Sequence, residues 1–510
     1  MQKYTLQDYK NILMQNGMLA DTYGEIGSQE VSFLTYGSKE VVPGTLFICK
    51  GAAFKKEYLD EAIRRGAICY VSEKKYDTEE DVPYILVRNI RTAMPQLAIL
   101  FNNEPAKALT LVGIGGTKGK STSAYYMKAV FDDYMEAIGG RESGILSSID
   151  TYDGVICEES RLTTPEAVEL QKHFRNAVDS GITHFQMEVS AQALKYNRTD
   201  AVTFDVGVFL NISEDHISPV EHPDFEDYFS SKLLMFAQSK NAVINKDADY
   251  IDRILDSAKV CKKVVTFSMK DASADVYGYN IHKDGDETVF MVKTESFDEE
   301  FRLTMPGLFN VENALAVIAT AMILNIPLQY VHSGLYRARS KGRMELYASR
   351  DKELIAVVDY AHNKLSFEKL YASMREEFPD YALVSVFGCV GGKALNRREE
   401  LGKFVGKNAK KAYLTAIDPG AEPFEKICNE IGVHLKKAGC PYEAIEDRGQ
   451  AIKRAIKEAE GKTVLLITGH GSGTKIHYAD RVVTTKTDME YVKMYMAERE
   501  NACEVACTEV

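Results

Sequence analysis

The chain has 510 residues, 45% of them hydrophobic and 27% charged, with 62 Lys+Arg against 74 Asp+Glu for a formal net charge of −12. At ~150 residues per domain this length implies about three domains, and the composition excludes a disordered or collagen-like chain. A field of that sign repels nucleic acid and anionic membranes, so an anionic ligand needs local devices: Gly-rich turns, helix N-termini and a few placed cations.

Along the chain, residues 45–49 and 67–71 read as short apolar strands and 58–65 as a helix, ending in the turn cluster Asn102-Asn103-Glu104-Pro105. A second block opens with the apolar run 108–112, a buried parallel strand by pattern, and continues with helix 165–179 and strands 185–189 and 206–210. That alternation implies βαβ units and a doubly wound sheet. Residues 260–304 alternate in period two around Asp284-Gly285 and predict an antiparallel insertion. In the third block, 354–358, 382–387, 412–415 and 464–468 read as strands and 451–460 as a helix. The last dozen residues carry little pattern and are expected to fray. No apolar run reaches the ~18 residues of a membrane helix, and MQKYTLQDYK lacks the pattern of a signal peptide. Nine scattered cysteines with no CxxC pair suggest neither a disulfide framework nor zinc, which fits a reducing cytoplasm.

The strongest local signal follows the strand that ends at Val112. Gly113-Ile114-Gly115-Gly116-Thr117-Lys118-Gly119-Lys120-Ser121-Thr122 leads into a helix over 124–130. Glycines let successive N–H groups turn around a phosphate chain, Lys120 would reach the β/γ-phosphates, and the Ser121 hydroxyl would ligate Mg²⁺. The strict Walker spacing needs Gly at 114, which is Ile, and a dinucleotide fingerprint fails at Lys118. An empty Gly-rich turn is the bland reading, and the order strand, loop, Gly-Lys-Ser, helix weighs against it.

Strand tails in an open α/β sheet gather ligands. Here they supply Glu188 and Ser190, then Asn211, Asp215 and His216, then Asp359 and His362. Each alone is more simply a capping or hydrogen-bonded residue; beside a phosphate loop, Glu and His suit a Mg²⁺ site that keeps phosphate oxygens as ligands. Residues 224–238 read as a helix with Asp224 as N-cap and Phe225, Phe229, Leu233 and Phe236 on one face. Lys232 falls inside that stripe. Such a lysine either snorkels, which the pattern alone favours, or loses its proton. A neutral amine there could be a nucleophile, or carry a CO₂ adduct that makes it an anionic metal ligand.

The segments GIGGTKGKST, LTTPEAVELQ, MEVSAQALKYNR, FLNISEDHISPVEHPDFEDYFSSK, PGLFNVENALAVI, GRMEL, VVDYAHN and VFGCVGG occur in the order found in the Mur ligase family. The chain resembles its UDP-N-acetylmuramoyl-tripeptide synthetases over residues 30–480. The resemblance implies an α/β fold of three domains. These are a UDP-substrate-binding domain (1–104), a central P-loop ATPase-type doubly wound domain (105–340) and a C-terminal Rossmann-like amino-acid-binding domain (341–495), followed by a tail (496–510).

It also implies roles. The ATP phosphates would lie on Gly113, Gly116, Thr117, Lys118, Gly119, Lys120, Ser121 and Thr122, with Asn310, Asn313 and Arg343 at the nucleotide. Ser121 and Glu188 would hold one Mg²⁺, and His216 a second with Lys232, which is a carbamylated lysine (N6-carboxylysine) in this family. Asp359 would approach ATP from the C-terminal side. Thr163, Thr164, Ser190 and Arg198 would grip the UDP-muramoyl dipeptide. Ser38 matches the serine of a DSR motif near the uridine, although Gly37 and Lys39 replace its Asp and Arg. The reaction implied is activation of a substrate carboxylate as an acyl phosphate by ATP, then displacement of phosphate by an amine, in cytoplasmic peptidoglycan precursor synthesis serving cell shape and division. Metals and Lys120 are needed because carboxylate and triphosphate repel each other. The expected partners are the UDP-muramoyl dipeptide and a free diamino acid, bound by a monomer with no nucleic-acid or membrane partner.

Members that add meso-diaminopimelate carry D-N-P-R, whose Arg binds the distal carboxylate. The matching segment here is Ile417-Asp418-Pro419-Gly420, and the family's G-K-G-H-E is Gly469-His470-Gly471-Ser472-Gly473. EDHISPVEHPDFEDYF is instead similar to the lysine-adding members. L-Lysine needs only an acidic group for its ε-ammonium, for which Asp418 and Glu422 are candidates, and Lys393, Arg397 or Arg398 would hold its α-carboxylate. Competing readings are a meso-diaminopimelate- or ornithine-adding ligase, a folylpolyglutamate or cyanophycin type of amide ligase, and a non-catalytic scaffold. The presence of Lys120, Glu188, His216 and Lys232 disfavours the last.

Overall fold

The computed structural model describes residues 2–508 except 52, 53, 216, 218–220, 286 and 308. The chain forms two compact units, one of Met1–Tyr279, Val292–Asp298 and Asn313–Leu335, the other of Asn280–Met291, Glu299–Glu312 and Tyr336–Val510.

The first unit carries two separate sheets. In the N-terminal one, Phe33–Thr35, Thr45–Ile48, Ala67–Ser72 and Tyr84–Val87 run parallel in that order, and Leu19–Tyr23 closes the edge antiparallel. Helices Leu6–Gln15 and Ile90–Phe101 bury Leu6, Tyr9, Leu13, Met94 and Leu97 against it. The second sheet has Thr110–Gly115 at the centre of a parallel core, flanked by His184–Glu188 and Gly144–Leu146 on one side and by Phe204–Phe209, Ser239–Asn245 and Lys263–Ser268 on the other. Strands covered on both faces need continuous apolar runs, and Leu111, Val112, Phe204, Val206 and Ile244 are buried accordingly. The segment predicted as an insertion from 260 begins later: Lys263–Ser268 belongs to the parallel ladder. Val276–Asp284, Glu287–Lys293 and Asp298–Leu303 then follow one another at the sheet's edge, turning at Gly285 with φ +60°.

In the second unit Leu354–Asp359, Thr463–Thr468, Ala382–Phe387, Lys411–Leu414 and Tyr442–Ala444 lie parallel in that order, and Glu345–Ala348 pairs antiparallel with the first of them. All four strands predicted there are present. The end of the chain departs from expectation: Asp488–Thr508 is a helix, and Val492, Tyr495 and Met496 bury against the sheet. Its anchor is a fully buried ion pair. Arg448 Nε and Nη2 donate to the two Asp488 oxygens at 2.6 and 2.7 Å, and Gly471 N–H donates to the same carboxylate at 2.9 Å. Removing one partner of such a pair strands a buried charge. Asp488→Asn is therefore expected to destabilise the protein by about 3–5 kcal/mol, read as a lowered midpoint in urea unfolding.

Candidate active site

The phosphate loop joins Thr110–Gly115 to a helix that starts at Lys120 and runs to Ala137, longer at both ends than the 124–130 predicted. Its shape depends on Gly119, which caps the helix at φ +86°; a Cβ there would lie 2.4 Å from Asn313 Oδ1. Only glycine meets both demands. Asn313 thus seats on the loop, and also accepts from Ser123 Oγ at 3.3 Å.

The tail of Phe204–Phe209 braces the loop from one side. Asn211 accepts from Lys118 N–H at 2.8 Å and donates to Lys118 O at 3.1 Å, and Lys118 Nζ pairs with Asp215 at 3.2 Å. Both Asn211 and Asp215 were legible as strand-tail residues. Thr117 Oγ1 lies 3.2 Å from the hydroxyl of Tyr228, a contact that no local signal announces.

Lys232 sits on helix Phe225–Ala237, one turn after Tyr228, and is 3% exposed. It does not snorkel. Its Nζ donates to Gly116 O at 2.8 Å and stands 4.8 Å from the centroid of the Tyr228 ring. Lys120 Nζ donates to the same carbonyl at 3.0 Å, and to Thr117 O at 3.3 Å. Burial, and then the charge of Lys120, hold the Lys232 amine well below the ordinary lysine range, toward the neutral form. Tyr228, Phe229, Met235 and Phe236 of this helix all belong to the hydrophobic core, and Met235 also reaches the loop's approach, where its Cε would be 3.1 Å from a Cβ on Gly115.

Opposite, His184–Glu188 ends in a carboxylate that is 1% exposed. Glu188 Oε1 accepts from Ser148 N–H at 2.7 Å, and Ser148 Oγ lies 3.1 Å from Ser121 Oγ. A hydroxyl beside a buried carboxylate is an incomplete, oxygen-only donor set that leaves positions for phosphate and water, and so fits Mg²⁺. Among the described residues no three His, Cys, Asp or Glu side chains converge as a metal cage; His216, the predicted ligand of a second metal, lies outside them.

From Glu188 the polar chain continues through its carbonyl. Thr164 Oγ1 donates to Glu188 O at 2.9 Å and lies 3.3 Å from Ser190 Oγ, and Ser190 caps helix Ala191–Lys195. Arg198 donates to Thr164 O at 3.2 Å and pairs with Glu166 at 2.9 Å. Thr164, Ser190 and Arg198 therefore form one cluster, with Thr163 next to it in sequence. Ser38 opens a short 3-10 helix, Ser38–Glu40, after strand Phe33–Thr35 and donates to Glu61 at 2.7 Å.

In the second unit the predicted residues collect at the carboxyl edge of the sheet. Asp359 accepts from Met344 N–H at 3.0 Å and Ala361 N–H at 2.7 Å, which ties it to the Arg343 segment; the Arg343 guanidinium lies 4.4 Å from the centroid of the Tyr360 ring. Asn310 donates to Pro306 O at 2.6 Å at the start of helix Phe309–Ile323. Asp418, held at φ +41°, accepts from His477 N–H at 2.7 Å. Two candidates for amino-acid binding are otherwise engaged. Glu422 is gripped by Arg398 at 2.6 and 2.9 Å, by Lys426 at 2.6 Å and by Gly392 N–H at 2.9 Å, and Arg398 also binds Glu430 at 2.6 Å. These cations hold the Glu422 carboxyl far below the usual range, so its charge is already neutralised. Arg397 is half-buried at the start of helix Asn396–Asn408.

A Gly-rich loop presenting a lysine and a serine at the carboxyl edge of a parallel sheet, beside a buried carboxylate, defines a phosphate-binding α/β protein. Residues 114–321 match the Mur ligase middle domain and 342–471 the Mur ligase glutamate ligase domain. The chain is 36% identical over 461 residues to the UDP-N-acetylmuramoyl-L-alanyl-D-glutamate–L-lysine ligase of Enterococcus faecalis, covering 89% of each chain. It is 35% identical over 477 residues to the ligase of the same name from Streptococcus mutans, covering 92% of this chain and 93% of that one. Its fold matches a solved UDP-N-acetylmuramoyl-L-alanyl-D-glutamate–2,6-diaminopimelate ligase with a TM-score of 0.66 at 21% identity, over 98% of this chain and 100% of the other. The chain belongs to the Mur ligase family.

Proposed function

We propose that this protein is an ATP-dependent ligase that joins L-lysine to UDP-N-acetylmuramoyl-L-alanyl-D-glutamate in cytoplasmic peptidoglycan precursor synthesis. The observation that carries the reading is the pair of lysine amines, Lys120 and Lys232, on the single Gly116 carbonyl, with Lys232 fully buried. A phosphate loop alone serves many chemistries; a second, desolvated amine beside its lysine suits a site that must bring two anions together. The similarity to lysine-adding ligases over nearly the whole chain supports the substrate.

In this reading the loop amides and Lys120 bind the triphosphate, and Lys120 balances charge gathering on the γ-phosphate as the D-glutamyl carboxylate attacks. Ser121 and Glu188 would hold Mg²⁺, with His216 and a carbamylated Lys232 toward a second ion; these metals supply Lewis-acid screening of the two anions. Thr164, Ser190 and Arg198 position the dipeptide. Asn310, Asn313, Arg343 and Asp359 serve the nucleotide, and Asp418 and Arg397 the incoming amino acid. Residues 1–104, 105–340 and 341–495 divide this work as uridine, nucleotide and amino-acid domains.

Phosphate release tests the reading. It is expected to require ATP, the UDP-muramoyl dipeptide and L-lysine together. Release supported by a folate and glutamate in place of the dipeptide would assign the chain to another branch of the family.

A further inference from the structure

We propose that Lys50 is a positioning residue for the UDP-muramoyl dipeptide, setting the Arg198 guanidinium through Glu166. The inference rests on the reading of Arg198 as part of the dipeptide grip. It begins at the carboxyl edge of the N-terminal sheet, where Tyr36 follows Phe33–Thr35 and Lys50 lies just beyond the neighbouring parallel strand, Thr45–Ile48. Lys50 Nζ is 2.8 Å from Glu166 Oε2 and 4.4 Å from the centroid of the Tyr36 ring. The other Glu166 oxygen meets Arg198 Nη2 at 2.9 Å. One carboxylate thus bridges two cations, and the three side chains are only 10–13% exposed.

Two features mark this bridge as more than packing. Glu166 occupies the N-cap of helix Ala167–Asp179 but makes no side-chain cap. Its carboxylate is committed to the two cations and not to the helix's first N–H groups. Beside it, Tyr36 donates to Glu169 Oε1 at 2.7 Å, while Glu169 Oε2 and Arg198 Nε are buried with no partner among the described residues. Burial raises the Glu169 carboxyl above its ordinary range. A cluster built for stability alone satisfies its buried polar atoms, because each orphan is costly. An Arg198 held on one side by Glu166 and by Thr164 O, with Nε left over, is oriented for a group that arrives later.

Among the described residues Lys50 has Glu166 and the Tyr36 ring as its polar partners, neither of them part of the phosphate loop. Its loss should therefore appear at one substrate only. Lys50→Met is expected to raise KM for the UDP-muramoyl dipeptide about tenfold, equivalent to about 1.4 kcal/mol. KM for ATP, KM for L-lysine and kcat should stay within about twofold. Lys50→Arg, which can still bind Glu166 and stack on Tyr36, should recover most of the loss. An unmoved dipeptide KM would overturn the proposal, and so would equal losses for all three substrates accompanied by a lower unfolding midpoint. If Lys50→Met fails to fold, Lys50→Gln is read by the same split, since it keeps the size and a hydrogen bond but drops the charge. Wild-type turnover is measured first: failure to use the UDP-muramoyl dipeptide there removes the proposed function, whereas turnover with an unmoved KM in the variant removes only this inference.

Discussion

Lys232→Ala is expected to lower the ligation rate by about 10³-fold, the scale on which loss of one preorganised electrostatic group acts, and short carboxylic acids should restore part of it. Two amines that both tend toward positive charge share the Gly116 carbonyl, 2.8 and 3.0 Å away. As long as Lys232 is an amine, that crowding favours its neutral form, which is the form that adds CO₂. The addition gives a carbamate and releases one proton, turning repulsion from Lys120 into attraction. Alanine opens a cavity of side-chain length next to Tyr228, into which acetate or propionate can bring a carboxylate to the same place. The measurement is kcat with and without these acids, together with ¹³C NMR of protein equilibrated with labelled bicarbonate. The wild type should give a carbamate signal and Lys232→Ala none. An unaffected rate would remove the carbamate from the mechanism.

Local pattern carried most of the central sheet, because buried parallel strands must be continuous apolar runs and the phosphate loop must be glycine-rich. The phosphate loop and Glu188, Asn211 and Asp215 at the strand tails were legible for that reason. Lys232 was visible as an anomaly, and pattern alone left snorkelling, which it favoured, and loss of the proton both open. Periodicity places a residue on a face without saying what that face meets, and here the relevant side turns toward the Gly116 carbonyl, more than a hundred residues away in sequence. Ser148, Tyr228 and the Lys50–Glu166–Arg198 bridge escaped for the same reason: each works through a partner distant in sequence. The terminal helix went unread because its buried positions Val492, Tyr495 and Met496 alternate with Glu490, Lys493, Glu498 and Arg499, and fraying was expected only of the last dozen residues beyond them. Glu422 shows the converse limit, since the pattern that offers it for an ammonium does not show that Arg398 and Lys426 already bind it.

Given equal concentrations of L-lysine and meso-diaminopimelate, the enzyme is expected to prefer L-lysine by about 10³-fold in kcat/KM, because a second carboxylate bound without a cation loses about 3–5 kcal/mol. The turn that would carry the diaminopimelate arginine is built around Asp418, at φ +41°, and Gly420, at φ +59°. Gly420 N–H donates to His477 O at 3.0 Å, and Asp418 receives the His477 N–H, so the segment is pinned to strand Lys475–His477 with an acidic group where a basic one is required. Glu422 and Glu430 neutralise Arg398 nearby, so that cation cannot stand in for the missing one. Space is not the obstacle: a Cβ on Gly420 meets nothing within 4 Å. The backbone is, because a left-handed φ costs a side chain about 1 kcal/mol or more, and an arginine placed there would still lie beside the Asp418 carboxylate. Gly420→Arg alone is therefore expected to leave the preference for L-lysine in place, and relaxation of selectivity should require Asp418→Asn as well. Competition assays on the wild type, the single and the double variant separate a selectivity set by charge in this turn from one set elsewhere, since only the former responds to the second substitution.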